Sequence, residues 1–61
     1  MPETVEAARL LALAEKARVS AAGMRDNRRE RVMLDIATAY EGLAKQVDTL
    51  AEATRQLMER E

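Results

Sequence analysis

The clearest pattern in the chain is a mostly apolar stripe in its second half. The helical positions on either side of this stripe carry small residues, among them Ala37, Ala44 and Ala51. A two-stranded coiled coil has charged residues at these positions. A stripe widened in this way favours a bundle of three or four helices over a parallel pair. The stripe recurs at alternating spacings of three and four, the a/d pattern of four heptads, and comprises Met33, Ile36, Tyr40, Leu43, Val47, Leu50, Thr54 and Leu57.

The first half of the chain predicts a shorter helix that is rich in alanine. Pro2 suits a first helical turn, and Glu3 and Glu6 complement the positive end of the helix dipole. The small side chains would let this helix approach the other closely, with leucines of the longer helix filling the space between them. The side predicted to face the longer helix comprises Ala7, Leu10, Leu13, Ala14, Ala17, Ala21 and Met24.

A single break separates the two helices. Gly23 suits a left-handed cap at a helix C-terminus. Asp26 and Asn27 both suit a helix N-cap, so the second helix is expected to begin at one of them, and Asn27 with Glu30 has the spacing of a capping box. The sequence therefore predicts one domain over residues 1–61. Its elements are a helix over 3–22, a turn over 23–27 and a helix over 28–60. The expected fold class is all-α: an antiparallel helical hairpin whose second helix is longer than its first.

The difference in helix length predicts an association surface. At 1.5 Å per residue, the first helix is roughly 30 Å long and the second roughly 50 Å. In an antiparallel hairpin Thr4 would lie near position 47 or 48, so the apolar residues beyond it would lack cover within the chain. We expect a homodimer, a two-fold antiparallel four-helix bundle. The predicted interface comprises Val47, Leu50, Ala51, Thr54, Leu57 and Met58.

Composition supports the need for a partner. The chain has 61 residues and is 48% hydrophobic, but twelve of its residues are alanine and Tyr40 is its only aromatic residue. A chain of this size buries only about 60% of the surface that its unfolded form exposes. Because it has no cysteine, a disulfide cannot supplement the core. Self-association remains as the expected source of further burial.

Residue types exclude most catalytic and metal chemistry. There is no histidine or cysteine, Ser20 is the only serine, and Gly23 and Gly42 stand apart from any glycine-rich phosphate loop. The carboxylates Asp48 and Glu52 fall on the polar face, with other outward charges such as Glu41. We therefore expect no enzyme activity, no cofactor and no metal site.

No targeting signal or membrane span is predicted. The first residues carry an acid, Glu3, where a secretory signal has basic residues. The longest uncharged run, residues 19–24, is much shorter than the ~20 residues of a membrane span. We expect a cytoplasmic protein without membrane contact.

Arginines cluster around the predicted turn. The formal net charge is −1, yet residues 16–31 contain six basic and two acidic residues, a net charge of +4. Beside the start of a helix, such a cluster could bind phosphate groups. The alternative is that Asp26 and Glu30 neutralise two arginines while the others are solvated or paired across a dimer, and the lack of interleaved aromatic residues favours it. The possible anion-binding residues are Arg25, Arg28, Arg29 and Arg31.

Three segments have a recognisable pattern: Met24-Arg25-Asp26, the run from Arg28 to Arg31, and residues 33–44. With these segments the chain resembles a family of short, uncharacterised two-helix proteins of alphaproteobacteria. Asn27 stands where that family often has proline. The resemblance implies a hairpin and a bacterial cytoplasm, and it implies no activity.

Three functions are compatible with these features. The favoured one is a non-enzymatic module for helical self-association or protein interaction. The alternative is a small nucleic-acid-binding or phosphate-binding regulator that uses the arginines at the tip. The third is an assembly domain or fragment of a larger protein.

Overall fold

Two antiparallel helices make up the fold. The structure, a computed structural model, describes residues 2–60, in which α1 comprises Val5–Ala22 and α2 comprises Asn27–Glu59. The helices pack along the length of α1, and the molecule measures 55 × 15 × 12 Å. The predicted all-helical hairpin with a longer second helix is therefore confirmed.

Both helices begin at a side-chain cap. The Oγ1 atom of Thr4 accepts a hydrogen bond of 3.0 Å from the backbone nitrogen of Ala7, so α1 begins two residues later than the predicted residue 3. Asp26 caps α2 by accepting a hydrogen bond of 2.9 Å from the backbone nitrogen of Arg28. Asp26, one of the two residues predicted to suit this role, is thus the N-cap, and Asn27 is the first residue of α2.

The end of α1 differs from the predicted left-handed cap. Gly23 has φ −91° and ψ −1°, in the right-handed region. Its backbone nitrogen donates to the carbonyl oxygen of Ser20 at 3.2 Å, and that of Met24 donates to Ala21 at 3.1 Å. These short-range bonds satisfy carbonyl groups in the last turn, so the chain leaves the helix without a positive φ.

Small side chains form the core. None of the larger side chains of the described residues is fully buried, although Met33 and Tyr40 pack against the buried alanines. The alanines of α1 face α2 as predicted, but Leu13, predicted to lie with them, is 42% exposed. The buried residues are Ala7, Ala14, Ala17, Ala21, Ala37 and Ala44.

The face of α2 that packs on α1 is rotated from the predicted a/d stripe. Ala37 and Ala44, at the e positions, are buried beside half-buried a positions, whereas the d positions are exposed. Two helices approach most closely where both carry small side chains, and leucines between them would hold the backbones apart. The prediction that leucines of α2 fill the space under α1 is therefore wrong. The exposed d residues are Ile36, Leu43, Leu50 and Leu57.

The register leaves the end of α2 uncovered. Asp48 accepts hydrogen bonds of 3.1 Å from the backbone nitrogen and the hydroxyl of Thr4, which places the start of α1 beside Asp48 as the helix lengths predict. Residues 49–59 continue beyond α1 for roughly 16 Å. We call residues 49–59 the α2 extension.

Candidate functional site

One flank of the hairpin is closed by ionic contacts between the helices. The Nη2 and Nε atoms of Arg18 donate to the two carboxylate oxygens of Glu41 at 2.6 and 3.2 Å. The hydrogen bonds to Glu41 and the negative charge of Glu41 raise the pKa of Arg18 above its ordinary value. We call the side that carries this ion pair the polar flank.

Asp48 holds the N-terminal end of α1 on the same flank. The backbone nitrogen of Glu3 donates to both Asp48 oxygens at 3.1 Å, in addition to the bonds from Thr4. Arg55 donates to the Glu3 carboxylate at 2.9 Å and also contacts Glu52. The prediction that Asp48 and Glu41 belong to a solvated outward face is wrong, because both bind α1.

The other flank presents aliphatic side chains. Successive residues of a helix are about 100° apart, so Ile36, Leu43 and Leu50 fall on the side of α2 opposite to the polar flank. On α1 the same geometry places Leu13 on that side, away from Arg18. Ile36 is 38% exposed, Leu43 48% and Leu50 68%. We call this surface the open flank; it comprises Leu13, Val32, Ile36, Leu43 and Leu50.

A shallow groove continues from the open flank onto the α2 extension, where α1 no longer covers α2. Val47 and Ala51 are half-buried there, and the carboxylates of Glu6 and Glu59 stand at its edge. The hydroxyl of Thr54 donates to the carbonyl oxygen of Leu50 at 2.9 Å. Of the six predicted interface residues, all except Leu57 line the groove, namely Val47, Leu50, Ala51, Thr54 and Met58.

Leu57 and Met58 lie exposed near the end of the extension. Leu57 is 65% exposed and Met58 is 73% exposed. Leu57 stands outside the groove and continues the row of d positions from the open flank. The extension thus carries apolar side chains on two adjoining surfaces.

Sequence reasoning missed most of the open flank. The a/d stripe predicts Ile36 and Leu43 at the contact between the helices, and the pattern of α1 predicts Leu13 on its inward side. The sequence feature that indicates the packing face of α2 is the alanine at its e positions, Ala37 and Ala44. These side chains are as small as the alanines of α1. A prediction that packs the smallest side chains of the two helices against each other places the leucines of α2 on the outside.

The arginine tip is exposed and only loosely paired. Arg29 lies 3.9 Å from Asp26, and Arg31 lies 3.9 Å from Asp35, whereas Arg25 and Arg28 form no ion pair among residues 2–60. Asp26 thus pairs with an arginine as expected. The expected pairing through Glu30 is wrong, because Asp35 takes that role.

The N-terminus of α2 already holds a carboxylate. Asp26 accepts a hydrogen bond from the backbone nitrogen of Arg28, which is one of the groups that an incoming phosphate would use. Among the arginines around it, Arg28 and Arg29 border a shallow apolar depression with Met24, Val32 and Met33. The tip therefore combines exposed positive charge with a shallow apolar surface.

Residues 2–60 contain neither a candidate metal-binding cluster nor a candidate membrane span. In the part of the chain that the structure describes, acidic residues form no group of three or more that could hold a metal ion. Across residues 2–60, neither helix is apolar over the length that crossing a membrane requires. The open flank and its adjoining groove carry exposed aliphatic side chains such as Leu43 and Leu50.

Comparison with known proteins adds no assignment. No family model matches the chain, and no curated protein or solved structure shows significant similarity to it. The resemblance to short two-helix proteins of alphaproteobacteria stays a prediction. The case for function consequently depends on the geometry of the hairpin itself.

Proposed function

We propose that the protein is a non-enzymatic helical interaction module that works by self-association through the open flank and the groove. The observation that carries this proposal is that small side chains form the core whereas large aliphatic side chains lie on the surface. Alanines such as Ala37 are buried, while Leu43 and Leu50 are about half exposed or more. Burying a leucine or isoleucine side chain is worth about 1.5–3 kcal/mol, so covering this row strongly favours association.

The total surface supports the same conclusion. The chain exposes 5194 Å². A compact monomer of 6.8 kDa would expose roughly 4,000 Å² by the usual scaling of area with mass. The excess of roughly 1,200 Å² is of the size that a protein interface removes from solvent.

The two flanks differ in a way that selects one side for association. The polar flank is occupied by the Arg18–Glu41 ion pair and by the bonds of Asp48, whose groups are satisfied within the chain. The open flank carries no such contacts and is aliphatic. A partner that covers the open flank therefore removes apolar surface from water without breaking polar contacts.

The alternative, a regulator that binds nucleic acid or phosphate through the arginine tip, has weaker support. Asp26 occupies the helix N-terminus, and Arg29 and Arg31 each lie near a carboxylate. Non-specific binding by a few exposed arginines would depend steeply on salt. The tip gives no observation that points to a particular nucleic acid.

The test is the molar mass in solution, measured by size exclusion with light scattering and by analytical ultracentrifugation. We expect a mass of twice 6.8 kDa at micromolar concentration. Leu43→Glu places a charge on the open flank and should give a monomer. Leu43→Ala retains helix propensity and should weaken the dimer without unfolding the chain.

Thr49→Glu is the matched control, because Thr49 is exposed on the outward face of the same helix. This variant should keep the mass of the wild type. A wild-type chain that is monomeric at micromolar concentration would overturn the proposal, as would equal dissociation in the Thr49 and Leu43 variants.

A further inference from the structure

We infer that the partner is a second copy of this chain, packed antiparallel with α2 against α2, so that the partner's α1 lies over the α2 extension. The two-fold axis crosses the open flank at the level of Ala44 and Lys45 along α2. This inference rests on the proposed self-association and specifies its geometry. Each copy would then supply the cover that the other lacks.

The two ends of the row of aliphatic residues on α2 place that axis. The row runs from Val32 to Leu57, and the midpoint of these two positions falls between Ala44 and Lys45. Reversing the row about this point brings Val32 to the level of the partner's Leu57. It also brings Leu50 to the level of the partner's Ala39, so a large side chain meets a small one.

The internal register then fixes where the partner's α1 lies. Thr4 bonds to Asp48, and Ala14 packs with Ala37. Each α1 residue therefore lies beside the α2 residue whose number, added to its own, gives about 51. Reversal about residues 44 and 45 places the partner's α1 beside residues 43–60 of this copy. The partner's Leu13 comes to the level of Ala51, inside the groove that α1 leaves uncovered.

Charge favours the antiparallel arrangement over the parallel one. Residues 16–31 carry a net charge of +4, and a parallel dimer would bring two such tips side by side. The antiparallel dimer separates the tips by the length of the molecule, 55 Å, which is several Debye lengths at physiological salt. Each tip then lies near Glu59, which forms no ion pair among residues 2–60.

The area of the open side is sufficient for a stable dimer. A side of the hairpin measures 55 by 15 Å, and its area of roughly 800 Å² equals the area that each partner contributes to a standard interface. The two α1 helices lie at different levels along the bundle. Together they therefore cover a length close to that of α2. A second copy is therefore large enough to cover the whole row.

Crosslinking tests the arrangement, because the chain has no cysteine of its own. Val32→Cys and Leu57→Cys are prepared separately, one of them with a tag that makes the three possible products distinct in size. The two proteins are mixed, unfolded, refolded together and treated with a short bismaleimide. We expect the mixed 32–57 product to exceed both same-position products at least five-fold.

Thr49→Cys serves as the control for chance encounters, since Thr49 lies on the outward face of α2. Its same-position product sets the background yield, and light scattering on each variant establishes that it still associates. Predominance of 32–32 and 57–57 products in a dimeric sample would overturn the antiparallel arrangement and leave self-association standing. A dimeric sample with no product above background would also overturn the arrangement, and a monomeric wild type would overturn both proposals.

Discussion

At the residue scale, alanine sets the distance between the helices. Ala14 is 2% exposed and packs with Ala17 and Ala37, so there is no space at this point for a longer side chain. Close packing makes such a core sensitive to added volume. The same closeness is what turns the leucines of α2 toward the open flank.

Ala14→Leu should destabilise the hairpin by about 1–3 kcal/mol, because three extra carbons must be placed between packed backbones. The measurement is urea unfolding followed by circular dichroism. Ala12→Leu is the matched control: it makes the same change on the exposed side of α1 and should alter the free energy of unfolding by less than about 0.5 kcal/mol. Equal stability of the two variants would contradict an alanine core.

Asp48 is the second residue with a distinct role. Its carboxylate accepts hydrogen bonds from the backbone nitrogens of Glu3 and Thr4, groups that precede α1 and have no helical partner. Asp48→Ala should cost about 1–2 kcal/mol, since bonds to a charged acceptor exceed ordinary ones in strength. The rate of hydrogen exchange at the backbone amides of residues 3 and 4 should also rise.

Asp35→Ala is the comparison for this change. Asp35 is exposed, and its ion pair with Arg31 has a nitrogen–oxygen distance of 3.9 Å. Exposed pairs of this kind contribute about 0–1 kcal/mol. A loss of stability as large for Asp35 as for Asp48 would indicate a general charge effect in place of a specific cap.

At the element scale, the two helices end and begin by different means. Asp26 and Thr4 cap the N-termini with side-chain oxygens, whereas α1 ends in short-range bonds around Gly23 with no positive φ. The turn therefore does not require the conformational freedom of glycine. A Cβ atom at Gly23 would lie 3.8 Å from its nearest neighbour, the carbonyl oxygen of Ser20, which is ordinary contact.

Gly23→Ala should accordingly leave stability unchanged or raise it by about 0.4–1 kcal/mol, because alanine has less conformational entropy in the unfolded chain. Thermal unfolding measures the effect. A left-handed cap would give the opposite sign, about 1 kcal/mol of destabilisation. Gly42→Ala gives a reference value for a helical glycine, since a Cβ there meets nothing within 4 Å.

At the scale of the whole molecule, the hairpin is extended for its length. Its radius of gyration is 15.0 Å, whereas a compact domain of this length would have roughly 10.5 Å. Much of the difference comes from the α2 extension, which projects beyond α1. An isolated copy thus leaves a third of its longer helix extending beyond α1.

The proposed self-association predicts that thermal stability depends on concentration. Unfolding is coupled to dissociation in a dimer, so the midpoint temperature should rise when the protein is concentrated 100-fold. Circular dichroism melting curves at several concentrations measure this. The Leu43→Glu variant should melt at a temperature independent of concentration, and a wild type that behaves in the same way would argue against a dimer.

Several features followed from local pattern and helix geometry. The stripe from Met33 to Leu57 predicted the long helix, the break near Gly23 predicted the hairpin, and the lengths predicted that Thr4 lies by Asp48. These inferences need only the helical repeat and rise per residue. The side of α2 that meets α1 did not follow, because the a/d and a/e faces differ by a small rotation and both are apolar.

By itself, the sequence determined two helices, their order and the unequal lengths that leave an end uncovered. Periodicity and capping chemistry are local, so a single chain expresses them without reference to its fold. Only the tertiary structure decided that alanines face alanines, that Arg18 and Asp48 close one flank, and that Ile36 and Leu43 face outward on the other. Those outcomes depend on how closely two backbones approach, which is a property of the packed pair and of neither helix alone.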